Sequence, residues 1–347
     1  MIKKILNILI LSFFIVTNVI AQTGGTSTYK FINSLISPRL SGMGVDFTSI
    51  YENDLNLVVT NPSLINPEMH TDISLSYIDY LADVNMGYLS YSHTFNKVGS
   101  FALTMQYVNY DKFIYADEAG VTGGEFTCND LALTTGWGRQ LTPNWSIGAN
   151  LKMFYSMLEA YKSFGLAVDI AGTYRNTQKN LDVSLAARNI GAELKSYAGN
   201  RSKLPFEIQL AISQKVKHLP FRYVILFQDL QKWNLSNYDV NSPYAPVNTE
   251  TNAPIKKSNA AIFGDNLLRH IAIGGEFTIA NIVNLRLGYN YQRGKELRIE
   301  EIKSLAGFSF GLGVNIYKFE IDYSHSIYAV GRGPNYFSIK TKLSNWF

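Results

Sequence analysis

A two-residue hydrophobic period runs through most of the chain and leaves little choice of fold. In 99–110, Phe101, Leu103, Met105 and Tyr107 share one face, and Ser100, Ala102, Thr104 and Gln106 share the other. In 145–156, Ile147, Ala149, Leu151, Met153 and Tyr155 oppose Ser146, Gly148, Asn150 and Lys152. In 205–215, Phe206, Ile208, Leu210 and Ile212 oppose Glu207, Gln209, Ala211 and Ser213, and in 221–233 Phe221, Tyr223, Ile225 and Phe227 share a face. Alternation of this kind argues strands, not helices. It predicts fourteen strands, near 73–80, 85–95, 99–110, 130–139, 145–156, 164–174, 181–189, 205–215, 221–233, 268–277, 285–292, 306–316, 319–328 and 336–347. Their lengths approach the about 9–11 residues that a tilted membrane strand needs and exceed the about 5–6 of an average soluble strand.

The gaps between strands carry an independent signal. Those after even-numbered strands are short: 96–98, 140–144, 175–180, 216–220, 278–284 and 317–318. Those after odd-numbered strands are mostly longer: 111–129, 157–163, 190–204, 234–267, 293–305 and 329–335, with 81–84 the exception. Short turns at one end and long loops at the other mark an outer-membrane barrel, with both termini at the turn end. Only a closed barrel satisfies every backbone group of a sheet in lipid. The predicted last strand fits: Phe337, Ile339, Thr341, Leu343 and Phe347 form a lipid face, Lys340, Lys342 and Ser344 turn inward, and the chain ends on an aromatic residue.

Composition agrees. Charged residues are 17%, against about 25% in soluble domains, while 22 Tyr and 20 Phe suit aromatic girdles. The net charge of +4 is spread without a basic run, so nucleic-acid binding has no electrostatic footprint. Cys128 is the single cysteine, which excludes a disulfide framework and a cysteine-based zinc site.

Met1–Ala21 reads as a cleaved export signal, with Lys3 and Lys4, an apolar core from Ile5 to Ile20, and a small residue at its exit. Residues 22–72 lack alternation and carry Ser-Pro and Asn-Pro turns at Pro38, Pro62 and Pro67. This segment is expected to fold into the lumen as a hatch. The expected architecture is all-β: a signal peptide over 1–21, a hatch over 22–72, and a 14-stranded antiparallel transmembrane barrel over 73–347.

No motif compels catalysis. Gly307-Phe-Ser309-Phe-Gly311 matches a nucleophile-elbow pattern but lies inside an alternating strand with no helix after it. Ser324 and His325, near Asp322, point to opposite faces. The five histidines have no metal-ligand spacing, and Gly42, Gly44, Gly274, Gly275, Gly311 and Gly313 begin no helix that would cradle phosphate. Glycines on an inward face make room for a plug. Lys152, Asp169, Arg188, Glu207, Arg222, Glu276, Arg286 and Asp322 fall on inward faces, where a plug–wall ionic network is the expected role. No catalytic residue, cofactor or metal is expected.

The run Arg39-Leu-Ser-Gly42-Met43-Gly44 and the Asn61-Pro62-Ser63 turn resemble the long-chain fatty-acid transporter superfamily of fourteen-strand barrels, which folds this region into a hatch. Longer runs are similar to the PorQ family of type IX secretion-system barrels: Gly24 to Phe31, Ile50 to Leu57, Asn61 to His70, Leu204 to Leu210, Arg286 to Arg293 and Pro334 to Ile339. That resemblance implies a non-catalytic outer-membrane subunit of a cargo-attachment complex. Its implied partners are a surface protein (PorZ) that it anchors, a sortase (PorU), a cargo-carrying barrel (PorV), and membrane lipid or lipopolysaccharide. Loops carry recognition, so the contact is expected on the outer loops, at Trp233, Tyr238 and Tyr244 in or beside loop 234–267. The alternative is a transporter for hydrophobic small molecules such as long-chain fatty acids. It requires an apolar pocket between loops and hatch, a lateral or hatch opening, and a kinked strand beside the pocket; the sequence has no mid-strand proline or bulge signature that compels one.

Overall fold

The computed structural model describes residues 29–116, 120–197, 199, 201–236, 258–297, 304–328 and 332–346. The predicted export signal, Tyr238, Tyr244 and Phe347 lie outside them. Fourteen strands run in chain order: β1 (Asp72–Asp79), β2 (Asn85–Phe95), β3 (Gly99–Ala116), β4 (Thr122–Thr142), β5 (Trp145–Leu158), β6 (Tyr161–Asn176), β7 (Leu181–Lys195), β8 (Glu207–Lys215), β9 (Phe221–Phe227), β10 (Ile271–Ile279), β11 (Val283–Asn290), β12 (Phe308–Ile316), β13 (Phe319–Ser326) and β14 (Asn335–Lys342). Each pairs antiparallel with its sequence neighbours, and β1 pairs with β14 from Asp72↔Lys342 to Asp79↔Asn335, closing the barrel. The ring as a whole thus has no first and last edge strand.

The alternation sets the faces. Leu103, Met105 and Tyr107 are exposed outward, while Ala102, Thr104 and Gln106 are buried inward. The inner wall is rich in hydroxyls that bond across the sheet, as in Ser90–Thr104 (2.9 Å) and Ser309–Ser326 (3.0 Å). These small side chains leave the lumen wide enough for residues 29–71.

That inner segment is a series of capped turns. Helix α1 (Pro38–Gly42) is capped by Ser37, whose Oγ accepts from Leu40 N at 3.3 Å. Single 3-10 turns follow, capped by Asp54, Asn61 and Asn66 through their side-chain oxygens. Pro38, Pro62 and Pro67 open three of these turns, where a missing N–H costs nothing and φ is already set. The hatch backbone presses on wall glycines. A Cβ at Gly288 would lie 1.9 Å from Met43 O, and one at Gly148 would lie 2.2 Å from Pro62 O.

Several boundaries differ from the sequence reading. β3 and β4 continue through most of the predicted loop 111–129 as a projecting hairpin, paired to Ala116↔Thr122. β9 stops at Phe227 rather than near 233, because Asp229 takes a positive φ of 54°. β14 ends at Lys342, and residues Leu343–Asn345 form a 3-10 turn, so Leu343 leaves the lipid-facing row assigned to it. Two helices not expected from the sequence occupy outer loops: α2 (Asn259–Arg269) and α3 (Tyr291–Glu296). None of the described helices is long and apolar enough to cross a membrane, a statement that does not bear on strands.

Candidate functional site

The hatch is tied to the wall by buried charge. Arg39, 7% exposed, donates to Glu276 through Nε (2.8 Å) and Nη2 (2.6 Å), and reaches Glu52 at 2.8 Å and Asp54 at 3.4 Å. Glu52 also accepts from Arg222 at 2.5 Å. Arg286 bridges Glu276 (2.8 Å) and Asp322 within the wall. Lys340 donates to Asn53 O on the hatch (2.5 Å) and pairs with Glu320 (2.6 Å). The other inward charges pair strand to strand: Lys152 with Asp169 at 2.7 Å and Arg188 with Glu207 at 3.6 Å. All eight inward charges read from the sequence thus lie in ion pairs, some across the plug–wall boundary and some within the wall. Burial alone would raise the Glu52 carboxyl, but the Arg39 and Arg222 guanidinium groups outweigh it and hold Glu52 well below the usual carboxylate range.

The hatch divides the lumen. At the turn end a polar vestibule of about 290 Å³ is lined by Arg39, Glu52, Arg222 and Glu276 among others. At the loop end lies a cavity of about 350 Å³. The two share no lining residue. The upper cavity has apolar walls from Phe31 and Leu35 of the hatch, Ile78 of β1, Met86 of β2 and Tyr336 of β14, with Lys30, Asp46 and Arg293 at polar positions. Its size reaches the lower end of small-molecule sites. Arg293 lies over the Tyr328 ring at 5.2 Å, and its buried Nη1 has no hydrogen-bond partner among the described residues. An unpaired guanidinium nitrogen beside an apolar cavity suits the acidic head of an amphipathic molecule.

Across the hatch from β1, β2 and β14, the wall is interrupted at β7–β8. Arg188 and Asn189 of β7 together oppose Asp169 of β6, a β-bulge, and Asn189 has a φ of 56°. Pairing of β7 with β8 ends at Arg188↔Glu207, although β7 continues to Lys195. Residues 201–206 fill the gap, beside an outer notch of about 590 Å³. Asn189 Nδ2 donates to Asn33 Oδ1 (2.5 Å) and Pro205 O (2.9 Å), and its backbone N donates to Asp169 Oδ1 (2.7 Å). Asn33 lines the upper cavity and Asn189 lines the notch, so this hydrogen bond links the hatch rim of the one to the wall of the other. Tyr29 reinforces the seal by donating to Glu193 Oε1 at 2.8 Å. Burial, then the Glu193 carboxylate, raises the Tyr29 phenol. The sequence reading placed no bulge here. The only local signal is Arg188-Asn189-Ile190-Gly191, in which Asn tolerates the left-handed region and Gly191 leaves space.

The elements proposed from motifs fall elsewhere. Ser309 is fully buried on an inward strand face and bonds Ser326, with no helix following. Ser324 is buried inside, and His325 faces outward against Phe310 and Asn335. Trp233 is half-exposed at the outer rim, stacked 5.4 Å from His270 and 5.2 Å from Phe263. Among the described residues no group of three His, Cys, Asp or Glu side chains is placed to hold a metal ion.

No family model matches the chain, and no curated protein matches it in sequence. Solved structures do match. The toluene transporter TodX of Pseudomonas putida superposes with a TM-score of 0.51 at 12% identity, over 88% of this chain and 95% of that one. A TodX variant described as a monoaromatic hydrocarbon channel gives 0.50 at 12% identity, over 88% and 97%. A FadL homologue of Pseudomonas aeruginosa covers 88% and 97% at 10% identity with a TM-score of 0.46. At these identities the likeness is one of fold: a closed antiparallel barrel with an N-terminal segment, as in the TodX structures.

Proposed function

We propose that this barrel binds and admits hydrophobic small molecules that carry an acidic head, with the cavity above the hatch as the acceptor site. The observation that carries this reading is the cavity itself. It combines Phe31, Leu35, Ile78 and Met86 with polar residues, the Nη1 of Arg293 has no hydrogen-bond partner among the described residues, and Asn33 on its rim bonds Asn189 of the β7 bulge, beside which β7 has an edge unpaired with β8. These are the three features a transporter requires: a pocket between loops and hatch, a break in the wall and a distorted strand. The toluene and monoaromatic hydrocarbon channels share the fold, which adds support at the level of architecture only. The ionic ties that hold the hatch to the wall favour passage through the β7–β8 notch over passage through the hatch. The test is binding of a fluorescent long-chain carboxylate to the purified barrel in mild detergent. Saturable binding is expected, weakened at least tenfold in Met86→Arg while the barrel keeps its heat-modifiable mobility on gels. Binding no tighter than to an unrelated outer-membrane barrel overturns the reading.

A second reading is the attachment-complex subunit that the PorQ-like runs imply. The hatch fixed by Arg39, Glu52 and Glu276 favours it, since a static plug suits a scaffold. Affinity capture from native outer membranes tests it. Co-purification of a large surface protein and a sortase supports it, and recovery of the barrel alone with bound lipid or fatty acid removes it.

A further inference from the structure

Helix α2 is amphipathic in the reverse sense from a helix on a water-soluble surface. Its polar side chains turn inward. Asn266, 3% exposed, accepts from Leu235 N and Ser236 N, both at 2.9 Å. Asp265 accepts from Tyr291 OH at 3.0 Å and from Arg269 Nε at 2.9 Å. Its apolar side chains turn outward: Phe263 is 57% exposed, Leu267 41% and Leu268 46%. A helix facing water buries its apolar stripe, and a contiguous exposed apolar patch marks a contact surface.

The place of this patch identifies what covers it. Residues after β9 extend the wall upward along β8: Leu230 N donates to Ile208 O at 3.0 Å, and the Gln231 side-chain amide takes the place of a strand, accepting from Ile208 N (2.9 Å) and donating to Phe206 O (3.1 Å). Leu230 and Trp233 on this extension are 46% and 50% exposed, and Phe263 of α2 packs on Trp233. Four residues beyond the helix, Ile273 on the outer face of β10 is 53% exposed. Exposed apolar side chains therefore occur on the outer strands, on the extension past β9 and on the helix, with Phe263 and Trp233 in contact. The wall is also low here. β9 has 7 residues, which at ~3.3 Å per residue and a tilt of ~40° rise only about 18 Å. The apolar band of an outer-membrane barrel is ~25 Å tall, a shortfall of about 7 Å that a helix about 10–12 Å wide on the rim is broad enough to cover.

We propose that α2, with Leu230 and Trp233, is a lipid-facing element of the wall that completes the apolar belt in the outer leaflet above β8–β10. Its occupant is the boundary between acyl chains and headgroups, where Trp is favoured. This assignment does not depend on what the lumen carries. The test uses the full barrel in a Cys128→Ser background, reconstituted into phosphatidylethanolamine–phosphatidylglycerol vesicles. A nitroxide is placed at Phe263→Cys or Leu267→Cys, with Leu285→Cys as the belt reference and Asp83→Cys as the water reference. Collision rates with oxygen and with a water-soluble nickel chelate are then compared. The helix sites are expected to match Leu285→Cys, with at least a fivefold lower chelate rate than Asp83→Cys. Chelate access equal to that of Asp83→Cys at both sites overturns the proposal. So does chelate access in vesicles that disappears only when native outer-membrane proteins are added, which would assign the face to a protein partner.

Discussion

Arg39 holds together charges that are otherwise incompatible. Three carboxylates, Glu52, Asp54 and Glu276, lie within 3.4 Å of its guanidinium. Removing one partner of a buried ionic cluster leaves uncompensated charge at a cost of about 3–5 kcal/mol. Arg39→Met is expected to lower the unfolding free energy in detergent by about that amount, read as a lower denaturation midpoint, and Arg39→Lys to recover part of it; an unchanged midpoint in Arg39→Met would show that the cluster does not hold the hatch. The pH dependence follows from Glu52. Its folded carboxyl titrates below the ordinary value of 4.5, so it contributes stability that is fully present above that value. The contribution is lost as pH falls through the lower folded value. Hatch cleavage by an acid-active protease should therefore begin only below about pH 4, and Glu52→Gln should remove that transition; onset between pH 5 and 7 would contradict it. Gly288 is a steric counterpart: Gly288→Ala would force Met43 to move, and overpacking of this kind costs about 1–3 kcal/mol, read as a lower melting temperature. The sequence places Arg286 and Glu276 on the inner face, but the Arg39–Glu276 contact spans 237 residues. Face assignment follows from periodicity, whereas partner choice follows from barrel circumference and hatch path, which no local pattern encodes.

At the level of elements, alternation is readable where one face meets lipid and the other the lumen. Beyond the membrane both faces of a strand meet water, and the period fades. This is why the β3–β4 hairpin past Asp111 reads as loop although it continues to pair as far as Ala116↔Thr122. α2 is hidden for a different reason: its apolar side chains face outward and its polar ones inward, the reverse of the pattern that marks a helix on a water-soluble surface. The β7 bulge is hidden for another reason. It replaces one wall residue with two, and the register shift shows only against the partner strand. Asn189→Val should be unfavourable, because a β-branched residue strains at a φ of 56° and the bonds to Asn33 and Pro205 disappear. The expected outcome is faster amide exchange in residues 201–206 with β1–β5 unaffected; unchanged exchange would mean that residues 201–206 hold the notch closed without Asn189.

For the molecule as a whole, the fourteen strands and their antiparallel order were legible from period and gap lengths, because each spanning strand must satisfy the same lipid constraint. The unequal wall was not. β3 to β6 run 14–21 residues, while β8 to β11 run 7–9. The upper cavity was likewise invisible, since it is assembled from Phe31, Ile78, Met86 and Tyr336, which meet only once the ring has closed.

Closure between β1 and β14 also fixes an order of events. The segment that becomes the hatch is made first, yet most of its wall contacts are to strands made later, including the Arg39–Glu276 and Lys340–Asn53 ties. It must be enclosed as the ring shuts, because afterwards the only exits are the two mouths. Its end at Thr71 is anchored beside Leu343, at the turn end. In the finished molecule the hatch is thus a captive on a leash, and any force that draws it out by that leash without opening the wall must pull toward the turns.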